Sequence, residues 1–265
     1  MGQRIVRVAK KLSADLIDEL IHDEIAVVRI EGYYPAHLCN LLSHNILSSQ
    51  DIDPYTHEVI EDEKLLQKYF GVDRIGIPFN STYNTANPEA IHEYYRNASV
   101  QIERLRGYCE HFLSPIDKLR LELDELFIPG ATVAHFEHKK MLAGIVRISR
   151  AEQSYLSASE PHFDALPPEY AQLDAQLAAN IYLKVPDAGG ELEIWDIPAL
   201  TPLTQAPEQW RAQLPDPVKI KPSQGDLLIF NCRKPHAIGA FLGEDRITTQ
   251  MFIGYQQEKS LLLWN

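Results

Sequence analysis

Before Gly130 the apolar residues of this chain recur every three or four positions, and from Gly130 onward they recur every second one. No other feature constrains the fold as much. Alternation puts successive side chains on opposite faces of a strand, so the second half must close a sheet system around a shared core. Strands are expected at 132–137, 144–149, 179–185, 192–197, 218–220, 226–231 and 246–255. The run Pro186, Asp187, Ala188, Gly189, Gly190 reads as a hairpin turn, and Ser223, Gln224 and Gly225 lead into the next strand. The proline-rich stretch 198–217 reads as an irregular excursion, because the strands on either side of it must share one sheet system.

The first half reads as helices with one strand among them. Ser13 is placed to cap a helix over 15–22, a strand follows at 25–30, and Pro35 opens a helix whose Leu38, Leu41, Leu42 and Ile46 share a face. Residues 58–70 read as another helix, and 71–80 as a loop with short extended pieces, punctuated by Gly71, Gly76 and Pro78. Asn87 and Pro88 begin a long helix carrying Ile91, Tyr94, Tyr95, Ala98, Ile102, Leu105, Cys109 and Phe112 on one side. Ser114 and Pro115 end it, and a last helix covers 116–126. Such a pattern fits a β-sandwich or jelly roll closed around a cavity, with the helices packed outside.

At 265 residues the chain is long for one domain. All-β barrels and sandwiches nonetheless run to roughly 200–250 residues as single units. One domain over 1–265 is expected, with a helical front at 1–129 and a jelly-roll core at 130–257. A net charge of −12 argues against polyanionic partners, so nucleic acid and anionic membranes drop out as expectations. The N-terminus carries basic residues without a following apolar run, and Cys39, Cys109 and Cys232 are odd in number and widely spaced. A cytoplasmic protein with reduced thiols is the expectation.

The chemistry concentrates in two short stretches. Pro161, His162, Phe163, Asp164 place an imidazole and a carboxylate on one face of an extended segment, and Lys234, Pro235, His236 supply a second imidazole. Arg246 follows ten residues after His236, with Thr248 two further on. Two imidazoles and one carboxylate leave three coordination positions open, which suits non-haem Fe(II) and dioxygen chemistry. The arginine is then placed to hold the far carboxylate of a chelating keto acid. A lone His-x-Asp carries little information, and the order of the whole constellation is what gives it weight.

With these motifs the chain resembles the Fe(II)/2-oxoglutarate-dependent oxygenases, in particular the prolyl-4-hydroxylase-like branch. The resemblance runs through Pro161 to Asp164, Ala179 to Leu183, Gly189 to Leu192, Gln224 to Phe230, Pro235 to Ile238, and Arg246 to Thr248. More loosely, Ile25 to Ile30 and Tyr34 to Cys39 look like the small bacterial members that act on amino acids and N-acylated amino acids, some of whose relatives are halogenases. The resemblance implies an α+β fold built on a double-stranded β-helix, the cupin-like jelly roll, with buttressing N-terminal helices. It assigns His162, Asp164 and His236 to Fe(II), and Arg246 with Thr248 to 2-oxoglutarate. The implied activity is hydroxylation, at the expense of O2, of an unactivated C–H in a small amino-acid-derived substrate, with release of succinate and CO2. Desaturation or ring closure in a biosynthetic pathway uses the same oxidant. A non-redox cupin-type isomerase or ligand-binding module is the alternative of another class, and it has no use for Arg246 and Thr248 at their spacing. A homodimer is compatible with this reading.

Further residues follow from parity and position. Asn180 and Tyr182 share a face of a strand expected to line the cavity, beside 2-oxoglutarate. Arg147, on an alternating strand, is placed to meet a substrate carboxylate, and Arg74 and Asn80 are candidates for a lid touching substrate. Trp195 reads as core. His135 and His138 mimic a metal motif, but positions three apart on a strand point to opposite faces.

Overall fold

The computed structural model describes residues 5–61, 64–83, 85, 87–154, 158–204, 206–207 and 209–265. Residues 1–4 of the basic N-terminal stretch lie outside them. Four longer helices occur: α1 (Ala14–Ile21), α2 (Ala36–Leu47), α3 (Ala90–Tyr108) and α4 (Pro115–Leu126). The Ser114 side chain caps α4 by accepting the Asp117 N–H at 3.0 Å, and Pro115 occupies the first turn, where its missing donor costs nothing. Among the described residues no helix is long and apolar enough to cross a membrane.

The strands of the first half are β1 (Val6–Ala9), β2 (Val27–Ile30), β3 (Asp53–Glu61) and β4 (Lys64–Ile75). Then come β5 (Ala131–Val133), β6 (His135–Phe136), β7 (Lys139–Lys140), β8 (Ile145–Ser149), β9 (Ala175–Lys184), β10 (Ala188–Gly189) and β11 (Leu192–Ile194). The last are β12 (Val218–Ile220), β13 (Leu227–Asn231), β14 (His236–Ile238), β15 (Phe241–Leu242), β16 (Arg246–Tyr255) and β17 (Leu261–Trp264). A ten-stranded sheet runs β1-β2-β13-β9-β16-β8-β4-β3, with β17 on β16 and β5 on β17. A three-stranded sheet, β12-β11-β14, stands apart from it.

The two faces of the large sheet separate by residue parity. Leu177, Ala179, Ile181 and Leu183 of β9, with Ile247, Met251 and Ile253 of β16, pack against Ile17, Leu42, Ile46, Leu119 and Leu123 of the helices. Ala178 and Tyr182 of β9, Phe252 of β16 and Phe230 of β13 face the other way, into one cluster with Leu192, Ile194 and Ile220 of the small sheet. Covered on both faces, β9 and β16 are buried almost throughout, which explains why their sequences read as near-continuous apolar runs. The candidate residues Asn180, Tyr182, Arg246 and Thr248 have the inner parity.

Buried Asp226 pins the start of β13. It accepts from Arg29 Nε (2.8 Å), the Gly32 N–H (2.9 Å) and the Ser223 N–H (2.8 Å). The preceding Gly225, at φ +84°, presses against the Tyr34 carbonyl where a Cβ could not fit.

Three expectations are corrected. Residues 58–70 are not a helix: β3 and β4 form an antiparallel hairpin that extends the large sheet through β8, in a register pairing Val59 with Leu66 and Thr56 with Tyr69. Doublets of apolar residues fit either period there, and pairing to the exposed edge of β8 decides for strand. With β1 and β2, that hairpin makes the front half of the chain part of the sheet rather than a helical buttress. The turn at 186–190 does not close a hairpin, because β9 lies in the large sheet and β11 in the small one, and β10 within it pairs with β15. The strand expected at 132–137 is broken into β5 and β6, and His138 occupies the turn after β6 at φ +63°. His135 and His138 are both exposed, so they fail as ligands through a turn rather than through strand parity alone.

Candidate active site

Main-chain hydrogen bonds bring the two ligand-bearing segments together. Residues 159–164 run antiparallel to 232–238. The Ser159 N–H donates to the Ile238 carbonyl (2.8 Å), and the Asp164 N–H donates to the Cys232 carbonyl (2.8 Å). Between them His162 and His236 exchange both backbone bonds, at 3.0 and 2.8 Å. Residues directly opposite in an antiparallel pair project to the same face, and Asp164, two residues on, shares it. On its other side β14 pairs with β11, His236 lying opposite Ile194, so the small sheet carries the third ligand.

The imidazole centroids are 4.4 Å apart, and Asp164 Oδ2 lies 3.5 Å from His236 Nε2. One donor atom from each of His162, Asp164 and His236 lies within 4.8 Å of the others, the one such group among the described residues. Each ring places Nδ1 against a backbone carbonyl, Glu160 for His162 (3.3 Å) and Lys234 for His236 (3.0 Å). A carbonyl only accepts, so Nδ1 carries the proton and Nε2 keeps its lone pair, as a metal ligand requires. Two neutral imidazoles and a carboxylate fit Fe(II).

Electrostatics favour the same protonation states. His162 keeps exposed surface at the mouth of the recess, yet protein atoms crowd its ring. That crowding, followed by the nearby His236 and Arg147, pushes its pKa down to about 4 against the pull of Asp164. Burial pushes Asp164 up, but its closeness to the His236 and His162 rings and to Arg147 outweighs it and holds the carboxyl below its ordinary range. At neutral pH the group is His, Asp⁻, with the His162 ring uncharged.

Arg246 and Thr248 lie on β16 and are buried, at 4% and 1% exposure. The Arg246 guanidinium stacks 4.8 Å over the Tyr182 ring and Nη2 donates to the Tyr182 hydroxyl (3.1 Å), while its Nε is buried with no acceptor. A buried guanidinium with an unused donor is poised for an anion. Thr248 is opposite Tyr182 on one side and Arg147 on the other, and Asn180 is opposite Gln250.

Arg147 and Arg74 face each other across β8 and β4. Of the segment 71–80 expected as a loop with extended pieces, the first part is strand: Arg74 belongs to β4, and Asn80 sits in a 3-10 turn (Phe79–Thr82), accepting from the Tyr55 hydroxyl (3.0 Å). Trp195 is core, 1% exposed, its Nε1–H donating to the Pro215 carbonyl (2.6 Å).

Sequence reasoning missed the aromatic residues nearby. Tyr55 lies under the Arg147 guanidinium at 4.8 Å. Tyr83 packs with Phe79 and Tyr170, and burial, then the Asp164 charge, raise the pKa of its hydroxyl. An aromatic residue in the polar stretch after Ser81 was the only signal in the sequence.

Residues 150–254 match the family model described as the 2OG-Fe(II) oxygenase superfamily. Among solved structures, an N-substituted L-amino acid dioxygenase from Burkholderia ambifaria AMMD superposes with a TM-score of 0.63 at 14% identity, over 95% of this chain and 91% of that one. The same enzyme in complex with alpha-KG gives the same values. A Pseudomonas putida prolyl-4-hydroxylase gives a TM-score of 0.45 at 15% identity, over 92% of this chain and 98% of that one. Comparison with curated protein sequences finds no match. The fold is thus that of the 2OG-Fe(II) oxygenases, a jelly roll.

Proposed function

We propose, from the premise that residues 150–254 are a 2OG-Fe(II) oxygenase domain and the chain a 2-oxoglutarate-dependent non-haem iron dioxygenase, that it hydroxylates an unactivated C–H of a small amino-acid-derived molecule. Fe(II) and 2-oxoglutarate are the cofactors of that family. In this reading His162, Asp164 and His236 hold the iron. Arg246 and Thr248 hold the distal carboxylate of 2-oxoglutarate, with Tyr182 and Asn180 alongside. Residues 1–265 form one domain, whose large and small sheets are the two walls of a double-stranded β-helix. Arg147, Arg74 and Asn80 face the substrate.

The observation that carries the reading is the convergence of two Nε2 lone pairs and one carboxylate at the small sheet, together with a buried arginine that has an unused donor on the inner face of the large sheet. Bound Fe(II), with 2-oxoglutarate and O2, supplies the oxidising power, and succinate and CO2 leave. The chain's own residues do the positioning. The Glu160 and Lys234 carbonyls fix the imidazole tautomers, Asp164 contributes the compensating negative charge, and the hydroxyl of Tyr182 orients Arg246. The amino-acid-derived substrate class is the one named for the Burkholderia ambifaria enzyme of the same fold.

Succinate formation from 2-oxoglutarate, with Fe(II), ascorbate and a panel of amino acids and N-acyl amino acids, tests the proposal. Product mass increased by one oxygen supports hydroxylation, and loss of two hydrogens indicates desaturation or ring closure. No succinate under any condition, with His236→Ala behaving as wild type, sinks the reading.

A further inference from the structure

Several of the partly buried arginines in this protein meet carboxylates. Arg29 pairs with Asp226, Arg120 with Asp117, Arg150 with Asp73 and Asp245, and Arg211 with Glu193, while Arg233 donates to two backbone carbonyls. Arg74 and Arg147 depart from this pattern. Arg147 is half-buried, its Nε enclosed without an acceptor, and among the described residues it makes no hydrogen bond or ion pair. Its guanidinium lies over the face of Tyr55. Among the described residues Arg74 donates only to the Gly76 carbonyl (2.8 Å), and its Nε is likewise enclosed and unused. Asp53, opposite Arg74 on β3, is exposed and forms no ion pair with it.

The two arginines are also direct cross-strand neighbours, Arg74 opposite Arg147. Like charges in that position repel, and partial burial removes the water that would screen them. Burial above all, with Arg147 contributing and the charges of Asp53 and Glu93 opposing, makes Arg74 a weaker base than an ordinary arginine. An arrangement of this kind is stable when an anion lies between the two guanidiniums and accepts from both.

Position sets this pair to one side of the 2-oxoglutarate residues, with only Arg147 adjoining them. Arg246 and Thr248 are on β16, Arg147 is one strand away on β8, and Arg74 is two strands away on β4. At a strand spacing of about 4.8 Å, Arg74 stands roughly 10 Å from the β16 line. Arg147 lies directly opposite Thr248 across β8 and β16. An anion held by both arginines would therefore lie next to the 2-oxoglutarate subsite, displaced from it toward β4.

We propose that Arg74 and Arg147 clasp the carboxylate of the substrate, so that the enzyme accepts free carboxylic acids and rejects the corresponding neutral amides. This deepens the oxygenase reading given above and rests on it. Tyr55 is the floor of the clasp, holding the Arg147 guanidinium flat so that its N–H edge stays available.

The test uses full-length protein loaded with Ni(II) and 2-oxoglutarate, with ligand binding followed by calorimetry and thermal shift. Probes are N-acetyl-L-amino acids, acetate and malonate, each set beside its amide. At least one acid should bind, with its amide at least thirtyfold weaker. Arg74→Gln and Arg147→Gln should each weaken the acid at least tenfold, with Arg147→Lys intermediate. Arg74→Gln should leave the 2-oxoglutarate affinity unchanged, and either glutamine variant should unfold no earlier than wild type without ligand, because a like-charge contact has been removed. Acids and amides binding alike, no acid binding, or glutamine variants with unaltered acid affinity each overturn the clasp. Failure of Ni(II) and 2-oxoglutarate to bind wild-type protein would instead overturn the oxygenase reading, so the two failures are distinguishable.

Discussion

Replacing Arg246 with glutamine should weaken 2-oxoglutarate binding while leaving metal binding intact. Arg246 is 4% exposed, its Nη2 is tied to Tyr182, and its Nε is buried without an acceptor, so its remaining donors have no partner but a ligand. Two charge-assisted hydrogen bonds to a carboxylate are worth about 3–6 kcal/mol together, and the glutamine amide recovers roughly 1–2 kcal/mol of that. The remaining loss of about 2–4 kcal/mol corresponds to a Kd raised about 30-fold to 700-fold. Calorimetric titration of 2-oxoglutarate into Ni(II)-loaded wild type and Arg246→Gln measures this directly, and a parallel Ni(II) titration should differ less than twofold. Arg246→Lys should fall between, because an ammonium keeps the charge but loses the planar fork. A 2-oxoglutarate Kd within threefold of wild type in Arg246→Gln would mean that the buried donor serves the fold and that another cation binds the co-substrate.

His236→Ala should lower Ni(II) or Fe(II) affinity by at least a hundredfold in calorimetry, since one of three ligands is lost, and near-native affinity would remove His236 from the site. Wild-type protein should give no chlorinated product at high chloride by mass spectrometry, because Asp164 occupies the position a halide would need, and Asp164→Gly should lose most hydroxylation. Glu193, 3% exposed between Arg211 (2.7 Å) and Lys219 (2.9 Å), has its pKa held below 4.5 by these cations despite burial. Its contribution is therefore present above pH 4.5 and lost as pH falls through the depressed value. With both partners partly solvated, Glu193→Gln should cost about 1–3 kcal/mol at pH 7 in urea unfolding, and a gap from wild type that persists undiminished at pH 3 would contradict the assignment. Burial raises the Cys39 and Cys109 thiols to about 12 and Cys232 well above its ordinary value, so a disulfide reagent such as DTNB should count no thiols in folded protein and three after unfolding.

The juxtaposition of His162, Asp164 and His236 was legible because the residue types are chemically restrictive and their spacing matches strand parity. His162 and Asp164 need only an extended segment to share a face, and the sheet supplies His236. Asn180 and Tyr182 were placed by strand parity, and Arg246 and Thr248 by their spacing after His236 and the family resemblance; the inner face of the large sheet carries all four. The hairpin of β3 and β4 was illegible because its apolar doublets satisfy both periods, and only the free edge of β8 distinguishes them. Without that hairpin, Arg74 looked like a loop residue and its juxtaposition with Arg147 could not be seen. β14 and β17 were missed for a similar reason, being three and four residues long. Tyr55 and Tyr83 could not have been chosen from among the twelve tyrosines without knowing what packs beside them.

The reciprocal backbone bonds between His162 and His236 have a bearing on how the site can change. Segments far apart in sequence are zipped by N–H and C=O groups, so the entropy of closing the loop between them is carried by sheet formation and not by an ion. Small zinc domains behave differently, since there the ion itself holds the chain together and chelation unfolds it. In this protein a donor atom can be exchanged for another without altering the register that presents it. The side chains at 162, 164 and 236 are thus free to drift toward a different ion or an inert surface, and the scaffold that frames them would survive each step.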